Sequence, residues 1–322
     1  MSDASVFVAG SDPKVVALGG GHGLAASLSA LRKVTEQLTA VVTVADDGGS
    51  SGRLREEFGV LPPGDLRQAL AALCGDDEWG RTWAEVLQHR FDGKGPLSGH
   101  AVGNLLIVAL WERLGQHVDG LDWVARLLGA RGRVLPMCAV PLQIQAEVIG
   151  LDPADPAAVS IVRGQAEVAI TTGEVLNVAL VPNDPPACAE AVEAVRSADG
   201  IVLGPGSWFT SVLPHLMVPE LAAALHETEA RRVLTLNLAP QVGETRDFSP
   251  EKHLEVLAAH APDLRIDVVI ADDAFVADQP ALAAAAATLG AELVVADVAR
   301  NDGSPRHDPE RLAQVYAKVL DD

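Results

Sequence analysis

Two short polar stretches carry the residue types that hold phosphate. The first is Gly19-Gly20-Gly21-His22-Gly23-Leu24, which follows the apolar run Val15 to Leu18 directly. Glycines between a strand and a helix let the backbone approach an anion closely. The unpaired N–H groups of the helix N-terminus, together with the helix dipole, favour negative charge there. Gly21-x-Gly23-x-x-Ala26 also fits the loose dinucleotide pattern with Ala in third place. The second stretch is Asp46-Asp47-Gly48-Gly49-Ser50-Ser51-Gly52-Arg53, which reads as a loop. It offers two hydroxyls and a planar guanidinium to phosphate. The carboxylates of Asp46 and Asp47 suit a ribose, an acceptor hydroxyl or a metal ion such as Mg²⁺, and the residues alone leave that choice open.

Other candidates are spread along the chain. Gly204-Pro205-Gly206-Ser207, with Thr210 and Ser211 just beyond, is a second strand–glycine–helix junction. It would take a second anionic group, or simply turn the chain with Ser207 as a helix cap. His100, Gly103 and Asn104 open an otherwise apolar helix, where Gly103 costs about 1 kcal/mol against Ala and so points to close packing or ligand approach. Asn237 and Gly243-Glu244-Thr245 place more polar groups after a strand. Asp65 reads as the cap of the helix that follows it. Asp308 with Pro309 caps the last helix, which leaves Arg306 for phosphate. No His-Glu-x-x-His or paired-cysteine spacing offers a metal site.

These residues need elements to position them. Thr39 to Ala45 is rich in β-branched residues and reads as a buried parallel strand. It would deliver Asp46 to Arg53 to the carboxyl edge of a sheet, where open α/β folds bind ligands. Helical spacing covers Leu24 to Lys33, Asp65 to about Leu73, Trp79 to Arg90, Ala101 to Leu114 and Val118 to Leu128. Between Arg133 and Val181 the period changes to two, with strands expected at Leu142 to Val148, Val159 to Val162, Glu167 to Thr171 and Val175 to Leu180. This is a β-rich insertion, about 133–181, with no linker to set it apart as a domain. Strands at Gly200 to Leu203, Arg232 to Leu238, Ile266 to Ile270 and Leu293 to Ala296 then alternate with helices, the last at about 309–320. Such alternation implies one α/β domain over 1–322, its mainly parallel sheet covered on both faces.

Composition sets the outer bounds. The 322 residues are 48% hydrophobic, enough for a large core, and carry a formal charge of −20. A surface that acidic argues against nucleic acid and anionic membranes as partners, while leaving room for a nucleotide held by local donors. Cys74, Cys138 and Cys188 lie far apart and fit reduced thiols. The chain shows no basic leader and no apolar run near the roughly 18 residues of a membrane span, so a cytoplasmic location is expected.

Taken together, several segments resemble one family. They are Gly19 to Leu24, Val42 to Arg55, Leu61-Pro62-Pro63-Gly64-Asp65-Leu66-Arg67, Gly99 to Leu105, Leu203 to Ser207, Thr210-Ser211-Val212, Gly243-Glu244-Thr245 and Arg306-His307-Asp308. In this order they resemble the gluconeogenesis factor family, the YvcK branch of the CofD-like superfamily. His22 stands where many relatives carry Thr. The resemblance implies a three-layer α/β/α Rossmann-like fold and a site for a UDP-sugar, such as UDP-N-acetylglucosamine. It also implies a role in cell morphogenesis and peptidoglycan synthesis on gluconeogenic carbon sources. The enzymatic cousins, 2-phospho-L-lactate transferases, move a phospholactyl group from a guanosine diphosphate donor to a deazaflavin. The extension Gly48 to Arg53 after the Asp pair resembles the non-transferase branch instead. The expected nucleotide-binding residues are Gly20, Gly21, His22, Gly23, Leu24, Asp46, Asp47, Ser50, Ser51, Arg53, Asp65, His100, Asn104, Gly204, Gly206, Ser207, Thr210, Asn237, Thr245 and Arg306. Mg²⁺ at Asp46 and Asp47 is the metal option. A regulatory binding protein is the first reading, and a magnesium-dependent transferase acting on a nucleoside diphosphate ester is the alternative. An NAD-dependent oxidoreductase would rest on the first glycine loop alone. Expected partners are the nucleotide, cell-envelope synthesis proteins and further copies of the chain.

Overall fold

The computed structural model describes residues 12–241, 243–246 and 248–321. Its strands are β1 Val15–Gly19, β2 Leu38–Val42, β3 Arg133–Pro136, β4 Gln143–Ile149, β5 Ser160–Arg163, β6 Glu174–Val181, β7 Gly200–Leu203, β8 Arg231–Thr235, β9 Val268–Asp272 and β10 Glu292–Ala296. Among the helices, α1 is Gly21–Leu31, α2 Gly49–Phe58, α3 Gly64–Ala72, α4 Glu78–Gln88, α5 Val102–Leu114 and α6 His117–Leu128. They continue with α7 Gln165–Ala169, α8 Ala189–Arg196, α9 Pro219–Glu227, α10 Pro250–His260, α11 Gln279–Thr288 and α12 Pro309–Asp321.

Seven strands form one parallel sheet in the order β10-β9-β8-β7-β1-β2-β3. Strands buried on both faces need continuous apolar runs, which is why Val15–Gly19 and Gly200–Leu203 are buried at every position. From β1 the chain moves outward through β2 to β3. It later returns to β7 on the other side of β1 and moves outward again to β10. Right-handed crossovers in opposite directions put helices on opposite faces. Accordingly α1 packs against α3 and α12, while α9 packs against α8. The order therefore reverses between β1 and β7, the topological switch point at which such sheets leave a crevice.

A buried polar knot fixes that centre. The Tyr316 hydroxyl of α12 lies 2.9 Å from Ser27 Oγ on α1 and 2.9 Å from Thr235 Oγ1 on β8. Ser27 Oγ donates to the Gly204 carbonyl at 2.8 Å, so α1, α12, β8 and the turn after β7 share one hydrogen-bonded core. Burial pushes the phenol up to about 12, which keeps it protonated and able to donate.

The expected β-rich insertion is smaller than its sequence bounds. Arg133–Pro136 belongs to the main sheet as β3, paired with β2. The antiparallel sheet β5-β4-β6 begins only at Gln143. Its central strand buries Ile144, Ala146 and Val148 and turns the alternate residues outward, as the period of two implies. Glu167 to Thr171 is not a strand: its first residues close the short helix α7, and the chain turns at Ile170. Likewise Asp46 to Arg53 is a loop only as far as Gly48, because α2 starts at Gly49.

Candidate functional site

The first glycine loop turns at the switch point, between β1 and the N-terminus of α1. Gly21 has φ 55°, a conformation that favours glycine. A Cβ on Gly23 would lie 2.2 Å from the Pro205 carbonyl oxygen, so the two glycine junctions pack backbone against backbone. The Leu24 side chain points into the core and only its backbone belongs to the turn, with Leu24 N–H donating to the Gly20 carbonyl at 3.2 Å. His22 is exposed beside it.

Asp65 does not cap its own helix. The α3 N-terminus has no side-chain cap, and the Asp65 carboxylate instead reaches the first loop, where a Cβ on Gly20 would sit 2.7 Å from Asp65 Oδ2. Burial, then the nearby Asp46 carboxylate, push Asp65 up to about 7, while the Gly21 amide and Arg67 hold it down in part. Asp46 itself accepts from Gly48 N–H at 3.0 Å. A Cβ on Gly64 would meet Ser51 Oγ and Asp46 Oδ2, at 2.4 and 2.8 Å, so α2, α3 and the loop after β2 converge here.

Asp47 turns the other way. Its Oδ1 accepts from Ala166 N–H at 3.0 Å and so caps α7 of the small sheet. A cation shared by Asp46 and Asp47 would compete with that cap. Asp46 instead lies near enough to Asp65 for its charge to help hold Asp65's proton, so these are the two carboxylates whose charges a divalent ion would neutralise. The one cluster of three acidic ligand atoms among the described residues is Asp272, Asp273 and Asp297, and Asp272 spends its carboxylate on the amides of Ala274, Val298 and Ala299.

Ser50 is a hub. Its Oγ accepts from Asn104 Nδ2 at 3.0 Å and from Ala101 N–H at 3.4 Å, so its proton goes to His100 Nδ1 at 3.0 Å. Gly48-Gly49-Ser50-Ser51-Gly52 has the spacing of a serine-hydrolase turn, and a Ser–His contact adds to the likeness. Ser50 is nonetheless 3% exposed, lies within α2 and has its oxygen occupied, whereas a nucleophile needs an accessible hydroxyl. Asn104 continues the chain by accepting from Arg67 Nε at 2.9 Å. Arg53 is exposed and donates to the Pro96 and Ser98 carbonyls, so it secures the 91–99 loop instead of presenting its guanidinium to the cleft.

The second junction is filled by the chain itself. The Glu244 carboxylate accepts from Ser207 Oγ at 2.8 Å, Thr210 Oγ1 at 2.7 Å and Phe209 N–H at 3.1 Å. Burial raises its pKa, and these donors oppose the rise. Ser207 and Thr210 therefore hold an internal carboxylate where a phosphate was expected. Asn237 clamps Gly206 on both sides, accepting from its N–H at 2.9 Å and donating to its carbonyl at 2.8 Å. Thr245 bonds within its own loop, to Gln241 N–H. Arg306 is exposed, on the turn whose ends bridge Ala299 to His307.

Gly20, Gly21, Gly23, Ser51, Asp46, Asp65, Gly206 and Asn237 thus form one connected rim at the carboxyl edge, joined at its back by Ser50, His100 and Asn104. Arg53, Arg306 and Thr245 stand outside those contacts. Two broad surface hollows lie at the opposite edge, one before β3 around Arg126 and Gly132, the other before β7 and β8 around Asp199 and Ala230. Sequence reasoning left Arg67 and Glu244 off the site. An arginine beside the apolar stripe of α3 was the available signal for the first. Glu244 stood in the Gly243-Glu244-Thr245 stretch already singled out, but its role was hidden because its partners lie more than 30 residues away.

Relatives agree with this architecture. The profile of 2-phospho-L-lactate transferase CofD matches residues 15–308. A gluconeogenesis factor homologue of Mycobacterium tuberculosis is 57% identical over 308 residues, covering 95% of this chain and 90% of that protein. The gluconeogenesis factor of Listeria innocua is 36% identical over 319 residues, covering 96% of each. A crystal structure of a UPF0052-family protein from Bacillus halodurans superposes with a TM-score of 0.83 at 31% identity, over 97% of this chain and 99% of that one. No helix among the described residues is long and apolar enough to cross a membrane. The chain belongs to the CofD family, among the relatives that carry the gluconeogenesis factor name.

Proposed function

We propose that this chain is a cytoplasmic UDP-sugar-binding regulatory protein that couples carbon supply to peptidoglycan synthesis and cell shape. The observation that carries the reading is the rim at the β1/β7 switch point, where the first turn of α1 meets Asp65, Ser211 and the Gly206 turn. A crevice of that kind suits a nucleoside diphosphate, with its phosphates at the helix N-terminus. Calorimetry with UDP-N-acetylglucosamine, GDP and NAD tests it. Saturable binding of the uridine sugar, with GDP and NAD much weaker, is the expected outcome. Equal or tighter binding of NAD would replace the reading with an oxidoreductase.

A second reading draws on Asp46 and Asp65. Neighbouring carboxylates repel one another, and a divalent cation that relieved this repulsion would assist a transferase acting on a nucleoside diphosphate ester. Magnesium-dependent turnover of such a donor with a flavin-like acceptor would favour it over pure binding.

A further inference from the structure

Arg67 is a buried cation whose hydrogen bonds are incomplete. It is 4% exposed, on α3, two residues beyond Asp65. Its Nε is committed to Asn104 Oδ1 at 2.9 Å, and Asn104 is anchored in turn on Ser50. Its stem packs tightly on α5, where a Cβ on Gly103 would lie 2.7 Å from Leu87 Cδ2, 2.8 Å from Arg67 Cγ and 2.9 Å from Cδ. Nη1 is buried and has no partner among the described residues. The Asn104–Ser50 chain ties the guanidinium to the back of the same rim, where Arg90 crowds its charge and Asp65 and Asp46 favour it. A contact that only packed α3 on α5 would be made better by Met or Leu, which bury no charge and leave no donor unmade. Asn104 and Ser50 hold the fork in one orientation, which suits a planar donor that must meet a phosphate oxygen with fixed geometry.

We infer that Arg67 is a phosphate contact at the inner wall of the cleft, with Nη1 reserved for an oxygen of the ligand's diphosphate. The inference rests on the nucleotide reading and adds a residue to it. It predicts that Arg67 acts through its charge and its planar fork, and that its removal leaves the fold intact.

The test uses the full chain and its Arg67→Met and Arg67→Lys variants, titrated with UDP-N-acetylglucosamine and with inorganic pyrophosphate. Arg67→Met is expected to weaken both ligands roughly 10- to 100-fold, the range for losing a charged hydrogen bond. Its ligand-free melting temperature should stay level or rise, because a buried charge has been removed. Arg67→Lys should recover part of the affinity, keeping the charge and losing the fork. Binding by Arg67→Met within twofold of wild type overturns the inference, as does failure of both variants to fold. If wild type binds pyrophosphate but no uridine sugar, and Arg67→Met loses the pyrophosphate, the UDP-sugar reading falls and the inference stands. If wild type binds neither ligand, both fall.

Discussion

At the scale of single residues, Asp65 decides how the site behaves near neutral pH. Its carboxyl keeps its proton up to about 7 in the folded chain, whereas an unfolded Asp loses it at 3.8. Between those values the native state binds the extra proton, so this group makes stability fall as pH rises, and the whole penalty is in place above pH 7. Three pKa units correspond to something on the order of 4 kcal/mol. Asp65→Asn should therefore raise stability at pH 8 by about 2–4 kcal/mol, less what is lost with the contact to the Gly21 amide. The gain should shrink as the pH is lowered through 7 towards 4. Urea unfolding of both proteins at pH 5 and pH 8 checks this, and a gain equal at both values would show that the carboxyl titrates normally. The same variant separates the two functional readings. Removing a negative charge beside the α1 N-terminus should hold or improve phosphate affinity if no cation is involved, and abolish magnesium-dependent binding if one is.

At the scale of elements, the small sheet is fastened across the mouth of the main one. Asp47, from the loop after β2, caps α7, and a Cβ on Gly164 would collide with its carboxylate at 2.2 Å. On the other side a Cβ on Gly243 would lie 2.1 Å from the Ala169 carbonyl oxygen, so α7 is gripped between the loops that follow β2 and β8. Arg55 adds a bond to the Leu142 carbonyl at 2.5 Å, where the small sheet begins. Asp47→Ala should cost roughly 1 kcal/mol of local stability, the usual value of a lost cap. Hydrogen exchange should accelerate in residues 160–170 while β1, β2 and β7 keep their protection. Unchanged exchange in 160–170 would mean that packing alone holds α7. This contact also marks where sequence reasoning ended. Every strand of the main sheet except β3 was legible, because doubly buried strands write apolar runs rich in Val and Ile, and the glycine turns announced where several of them stop. The candidate site was read from the same cues, since both point to one sheet edge. A five-residue helix capped by a residue 119 positions away leaves no local signature, so Glu167 to Thr171 read as a strand. For the same reason Ser207, Thr210 and Asn237 looked like ligand donors, although each is satisfied by a distant part of the chain.

For the molecule as a whole, buried histidines set the acid limit. His215 and His307 are both brought down to about 4, in each case mainly by burial. Both are neutral in the folded state below their ordinary value of 6.5, so unfolding takes up two protons between about pH 4 and 6.5. That makes stability fall on acidification. From pH 6.5 to 4.5 each contributes a loss on the order of 2 kcal/mol, and Asp65 returns a similar amount once, leaving a net loss of about 2 kcal/mol. Above pH 7 these three groups contribute no further slope, so together they place the optimum near pH 6.5 to 7. The formal charge of −20 acts in the opposite sense, because acid relieves self-repulsion, and added salt screens that effect while leaving buried groups nearly untouched. Urea unfolding in about 0.5 M salt should therefore show a maximum near neutrality and a clear fall by pH 4.5. His307→Asn and His215→Gln should each reduce the fall, whatever they do to stability at pH 7. A curve that stays flat from pH 6.5 to 4.5 would mean that these imidazoles protonate in place, in an interior more open to water than the packing around them implies.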